Sequence, residues 1–188
     1  MEQAPTIFLE TDMLLFRQHA LTDKDDYCVM DMDPDVRRYV GGRPRSRAEA
    51  EKRFMGSLNP ITNSLGIWAT VLKSENKYIG RCGIYPHFDA GGIPIAGEAS
   101  LGLYIATAYW GHGYATEAGR AFIKYGFDVL QLDRIVTMVE VGNDASVRVM
   151  EKLGLKIICT EAGQRRSFYH YELASANPLL WRGLIQNI

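Results

Sequence analysis

The sequence predicts a mixed α/β fold, with helices on both faces of one mostly antiparallel sheet of six to seven strands. Three observations lead there. Short runs rich in β-branched and aromatic residues recur between residues 13 and 173. The early runs are joined by a hairpin-type turn. The later ones are separated by helical-period segments long enough for crossover connections. Apolar residues make up 47% of the 188 residues, enough for a sizeable core without disulfide or metal staples. No repeat, low-complexity stretch or linker divides the chain, so residues 1–188 are expected to form a single domain.

The first predicted strand is 13–17. Acidic residues Asp23, Asp25 and Asp26 suit the start of a helix reaching Met32. Asp33-Pro34-Asp35 breaks it, and a short helical turn follows over 36–40. Gly41, Gly42 and Pro44 make a loop. Ser46 and Glu49 have capping-box spacing, and the helix they open ends before Asn59-Pro60. Residues 66–72 and 77–85 form strands around a turn at Ser74-Glu75-Asn76. Residues 87–97, with Gly91, Gly92 and Pro94, read as a loop. The rest is predicted as strand 98–105, helix 113–129, strand 134–141, helix 143–153 closed by Gly154, and strands 155–160 and 167–173. The tail 174–188, with Pro178, Trp181 and Ile185, is expected to pack as an irregular cap or short helix.

Composition excludes several functions. With 21 basic and 22 acidic residues, the net charge of −1 supplies no basic face for nucleic acid. No segment approaches the ~20 apolar residues of a membrane span, and the N-terminus lacks a signal-peptide pattern. The three cysteines, Cys28, Cys82 and Cys159, lack metal-ligand spacing and read as reduced, packed thiols. A cytoplasmic protein without metal is expected, either monomer or homodimer. Seven cations between Arg37 and Arg53 are diluted by Asp35, Glu49 and Glu51, and read as a solvated helix and loop.

The most informative stretch is 101–118, LGLYIATAYWGHGYATEA. An alternating strand runs into a bend with Gly111 and Gly113, and a helix starts at once. Ala99, Leu101, Leu103 and Ile105 form an apolar face. Glu98, Ser100, Gly102 and Tyr104 form a more polar one. Free N–H groups and the positive end of the helix converge on one spot, as in an anion site. Two glycines would equally serve a plain β-to-α turn. The bend is neither GxGxxG nor a P-loop. On the helix, Ala115, Ala118, Phe122, Tyr125 and Val129 form the core stripe, and Glu117 is expected in solvent. Further on, Asn143 opens a helix after a strand, the position of an N-cap, with Ser146 in the first turn.

Together, WGHGYA (110–115) and NDASVRVMEKLGL (143–155) resemble the GNAT superfamily of acetyl-CoA-dependent N-acetyltransferases. The family bend reads Arg/Gln-x-x-Gly-x-Gly/Ala. Gly113 and Ala115 match it, and Trp110 replaces the Arg or Gln. YWGHGYATEA, LETDMLLFRQHALTDKDD and DPDVRRYVGG resemble the subgroup that includes the ribosomal-protein alanine acetyltransferases. The resemblance covers roughly residues 8–173.

It implies direct attack of an amine on the thioester of acetyl-CoA. The acceptor would be a protein N-terminal α-amine or a small-molecule amine. The pyrophosphate would sit on the backbone of Trp110, Gly111, His112, Gly113, Tyr114, Ala115 and Thr116. His112 would contribute its N–H rather than its ring. Pantetheine would lie along the strand edge at Leu103, Tyr104 and Ile105, with Asn143 and Ser146 facing it. A backbone N–H near Leu103 or Tyr104 would meet the oxyanion. The family's usual tyrosine acid is replaced by Met150, so Ser146 is the expected proton donor to the leaving thiolate, with Tyr104 second. Glu98 is the expected base, direct or through water, with Glu161 and His170 as competitors. Two other functions stay open: an acyl-CoA-binding regulator without turnover, and a nucleotide-binding α/β domain.

Overall fold

The computed structural model describes residues 6–59, 61 and 64–176. Its eight strands form a single sheet in the order β1-β2-β3-β4-β5-β6-β8-β7. They are β1 (Ile7–Glu10), β2 (Leu14–Arg17), β3 (Gly66–Leu72), β4 (Lys77–Phe88), β5 (Pro94–Ile105), β6 (Arg134–Glu140), β7 (Lys156–Ala162) and β8 (Ser167–Ala174). Every neighbouring pair is antiparallel except β5 and β6. Five helices accompany them: α1 (Lys24–Met32), α2 (Pro34–Arg38), α3 (Arg47–Ser57), α4 (Tyr114–Asp128) and α5 (Asp144–Lys152). The mixed α/β class holds, and the sheet gains one strand. Ile7–Glu10 pairs with β2 although it is too short to carry a periodic signal. The C-terminal segment 177–188, with the expected cap at Trp181 and Ile185, lies outside the described residues.

Strand alternation sends the two sides of the sheet to different helices. Phe16, Trp68, Cys82, Ile84, Leu101 and Ile135 pack with Ala118 and Phe122 of α4 and with Met150 and Leu153 around α5. The opposite side carries Ala69 and Tyr78 against Tyr27 of α1 and Phe54 of α3. Ser46 caps α3 through the expected box with Glu49.

Three further expectations are corrected. The stretch 87–97 is mostly sheet: Pro86 pairs with Ala99 and Phe88 with Pro94, leaving 89–93 as the tip. There Asp89 Oδ1 accepts from the N–H groups of Gly91 and Ile93 at 2.9 Å each, so the glycine pair marks a hairpin end rather than a loop. The buried stripe of α4 includes Gly119 and Gly126, whose added Cβ atoms would meet Leu153 Cδ1 at 2.5 Å and Ile135 Cδ1 at 2.9 Å. Val129 is exposed instead. Glu117 accepts from Thr11 Oγ1 at 2.5 Å and Met13 N at 2.8 Å, tying the β1–β2 turn to α4. Of the cysteines, Cys28 and Cys82 are buried and Cys159 is exposed. Burial pushes the Cys82 thiol up to about 11.

The Arg-rich segment is not all solvated. The side chain of Asp31 is fully buried and receives Arg45 Nη1 at 2.9 Å and Arg81 Nη2 at 2.5 Å, with Arg53 Nε at 3.8 Å. Arg37 is buried beside them and donates to Arg43 O.

Candidate active site

β5 and β6 pair only at 98–100 with 134–136, then splay apart. Beyond that point β6 offers β5 a side chain, Thr137 Oγ1, which donates to Leu101 O at 2.9 Å. The direction of the remaining β5 groups follows from alternation. Ala106 N donates to Ile79 O, and Tyr104 O lies against Gly80, so even-numbered residues here turn toward β4. The N–H and C=O of Leu103 therefore point into the splay, whereas the N–H of Tyr104 does not. Of the two expected oxyanion donors, Leu103 has the right direction.

The bend follows at once. Trp110 Nε1 donates to Ile105 O at 2.7 Å and folds the chain back on the strand end. Gly111 and Gly113 have φ of 80° and 88°, where a side chain would be strained, and an added Cβ on either meets nothing within 4 Å. Gly113 is the N-cap of α4 and offers no side-chain bond. None of the described residues accepts a hydrogen bond from the N–H groups of 111–116. The first internal bond runs from Glu117 N to Gly113 O. A run of six successive unbonded N–H groups thus leads into the positive end of a 15-residue helix. Facing them, Asn143 caps α5 by accepting from Ser146 N at 3.2 Å. Tyr39, just past α2, donates to Gly142 O at 3.0 Å and closes the top of the splay.

Two adjoining cavities occupy the splay. One, of ≈ 470 Å³, is lined by Leu103, Tyr104, Ile105, Trp110, Gly111, Gly113, Tyr114, Ala115, Thr116, Asn143 and Ser146. Those are eleven of the twelve residues expected around the acyl carrier. The twelfth, His112, stays outside, its Nδ1 held 2.8 Å from Trp110 O. The second, of ≈ 450 Å³, opens on the other side of Tyr104 and Ser146. Its lining includes Tyr85, His87, Ser100, Arg134, Met138, Glu140, Arg166, Phe168 and His170. Tyr39, Val40, Leu103, Tyr104, Ala115, Asn143, Ser146 and Val149 border both. No group of three His, Cys, Asp or Glu among the described residues is arranged to hold a metal.

The candidate acid–base residues are placed unevenly. Ser146 and Tyr104 stand at the junction of the cavities. Glu98 lines neither. Its Oε1 accepts from Arg134 Nη2 at 2.6 Å, and its Oε2 is buried without a hydrogen-bond partner. The bond to Glu98 holds the Arg134 guanidinium above its ordinary range. His170 lines the second cavity, with Nε2 2.8 Å from the exposed Glu161. Met150 is buried there and has no proton to give.

Residues 13–156 match the family model described as "Acetyltransferase (GNAT) domain". The chain belongs to the GNAT acetyltransferases. It is 30% identical over 172 residues to the uncharacterized protein YkkB of Bacillus subtilis, covering 90% of this chain and 96% of that one. It is 28% identical over 150 residues to the uncharacterized N-acetyltransferase p20 of Bacillus licheniformis, covering 79% and 82%. Among solved structures it resembles a spermidine N-acetyltransferase from Vibrio cholerae in complex with CoA and spermine. The TM-score is 0.70 at 18% identity, covering 90% and 99% of the two chains. As a GNAT domain, it has its second cavity walled mostly by residues that were not named as site candidates. Tyr39, Val40, Met138, Arg166 and Phe168 come from three separate segments, and only tertiary pairing joins them. His87 was hidden by the loop assignment of its segment.

Proposed function

We propose that this chain is an N-acetyltransferase that binds acetyl-CoA in the first cavity and a primary amine in the second. The observation that carries this reading is the convergence of two unsatisfied backbone arrays on one cleft. The run of N–H groups at 111–116 suits a pyrophosphate. The free edge at Leu103 suits an amide-bearing pantetheine arm, which would add like a strand. Glycines 111 and 113 leave open space where a phosphate must come close. Bound acetyl-CoA would supply an acetyl thioester as the group to be transferred.

The chain's own residues would then do three things. The Leu103 N–H would stabilise the oxyanion from a fixed position. Ser146, at the junction of the cavities, would protonate the departing thiolate, with Tyr104 as the other donor within the junction. Glu98 would act as the distal carboxylate of the deprotonating system, because it does not reach the cavity itself.

The second cavity is not acidic. Its charged linings are Arg134, Glu140 and Arg166, and Arg166 is already paired with Glu140. Aromatic and apolar side chains (Tyr85, Met138, Phe168) dominate the rest. A compact amine with an apolar or aromatic body fits this better than a polycation such as the spermine bound by the Vibrio enzyme. A protein N-terminus with an apolar first side chain belongs to the same class.

The test is calorimetric titration with acetyl-CoA, then release of free thiol with a panel of amines that includes phenylalkylamines, spermidine and short peptides. Micromolar binding and preferred turnover of the apolar amines are expected. A regulator that binds without turnover is the second reading, favoured by the buried Met150 where a donor would stand. Binding with no thiol release from any amine would establish it over the first.

A further inference from the structure

The polar side of the central strands carries a chain of three side chains that no motif requires. Ser100 of β5 and His87 of β4 both line the amine cavity. The Ser100 Oγ is 3.1 Å from His87 Nδ1. On the other side of the ring, His87 Nε2 stands 4.0 Å from Glu98 Oε2. Glu98 lies behind the cavity wall with its second oxygen fixed by Arg134. The free oxygen, Oε2, is a buried acceptor with no donor bonded to it. Leaving such a group unsatisfied is costly, and a proton on His87 Nε2 is the donor that faces it. This assigns the ring: N–H on Nε2 toward the carboxylate, and a bare Nδ1 accepting from the Ser100 hydroxyl.

The position of the chain fits the reaction. Ser100 is one pleat from Gly102, which is paired with Gly83 across the strands. A Cβ on Gly102 would meet Ile67 Cδ1 at 2.9 Å and Tyr85 and Tyr104 at 3.2 Å, so this glycine lets those side chains close on the strand beside Ser100. Tyr85, Ser100, Gly102 and Leu103 all line the second cavity, so an amine held there would share one space with the Ser100 hydroxyl and Leu103.

We infer that Ser100 and His87 form a proton relay for the acceptor amine, with Glu98 as the positioning carboxylate behind it. The inference rests on the acetyltransferase reading. The amine loses one proton to Ser100 Oγ, directly or through one water, as the Ser100 hydroxyl proton passes to His87 Nδ1. The nitrogen, now a neutral amine, bonds to the thioester carbon; as the C–S bond breaks with its electron pair leaving on sulfur, the second N–H proton of the adduct passes by way of Ser146 to the thiolate. The imidazolium, paired with Glu98, later gives its proton to solvent. Besides Glu98, the charged or titratable groups around the ring are Arg134 from β6, Tyr85 on β4, and Glu172 of β8 held through Arg134. Burial raises the Tyr85 hydroxyl, so it stays neutral beside Ser100. The Arg134 charge is spent on two carboxylates, which leaves Glu98 Oε2 to the histidine.

The test uses the full chain with the best acceptor from the amine panel. H87A and S100A are each expected to lose about 100-fold or more in kcat, the usual range for general acid–base catalysis. Their acetyl-CoA affinity and thermal melting should match the parent. Added imidazole should restore H87A turnover and not that of the H87A/S100A double variant. E98Q should lose less, with its rate profile shifted to lower pH because the carboxylate that favours the imidazolium is gone. Parent-like kcat in H87A and S100A would overturn the relay, as would a loss confined to the KM for acetyl-CoA with no imidazole rescue. A large loss in H170A with none in H87A would assign the proton to the other histidine and overturn it too. A parent that binds acetyl-CoA but turns over no amine would sink the acetyltransferase reading itself, and the relay with it.

Discussion

The two sides of the sheet are built on different principles. On the α4 and α5 side, the interior is apolar, and the groups proposed to hold the ligand are backbone atoms of two short contiguous segments. On the α1–α3 side, a small apolar cluster sits among buried polar groups. Asp31 gathers Arg45 and Arg81, His19 is buried, and Arg81 lies 4.4 Å from the Tyr27 ring and 5.2 Å from that of Tyr104. The first side makes a site from local geometry and fills its core with non-directional contacts. The second must satisfy directional groups brought from positions up to 50 residues apart. It is correspondingly the side where one change does the most damage.

The largest expected effect tests that contrast directly. D31A leaves two arginines without their buried carboxylate. It should destabilise the fold by about 3–5 kcal/mol in chemical denaturation, as breaking buried pairs does. A loss below 1 kcal/mol would erase the distinction between the two sides. The next effect is titration of His19. Burial holds its pKa down from 6.5 to about 4, so the ring is neutral in the fold. Between those values the unfolded chain binds more protons than the folded one. Stability is therefore full above about pH 6.5 and falls as pH drops toward 4, by about 3 kcal/mol. In H19N, that acid loss should largely vanish when unfolding is measured from pH 7 to 4.

The α4 side should respond in ligand binding more than in stability. G113V places a branched side chain at a φ of 88°, costing about 1–3 kcal/mol, and puts it in the open space proposed for the pyrophosphate. Acetyl-CoA affinity measured by calorimetry should fall at least about tenfold while the fold survives. N143A removes the α5 cap and should cost about 1 kcal/mol. Smaller still, Y39F removes one exposed bond to Gly142 O, for about 0.5–1 kcal/mol in thermal denaturation.

Legibility in the sequence follows the same division. The proposed acyl-carrier side could be read because its elements are contiguous. Glycines at a bend, the start of α4 and a cap at Asn143 are all defined within a few residues of chain. Eleven of twelve named residues line one cavity. The amine side could not. His87 sat in a stretch whose glycines and proline spoke for a loop, yet pairing of Phe88 with Pro94 made it sheet. Glu98 was placed on the correct face of its strand, but its reach was decided by Arg134, 36 residues on.

The sequence by itself determined the order of elements after β1, the apolar and polar faces of β5, the glycine bend and the family. These depend on periodicity of two and 3.6 residues and on local backbone freedom, which neighbours in the chain impose. The tertiary structure alone decided where β5 and β6 part and which of two adjacent N–H groups faces the gap. It also decided that Asp31 is the buried anchor of a dispersed set of arginines. Those outcomes depend on register and on charge pairs formed across the sheet, and distance along the chain carries no trace of them.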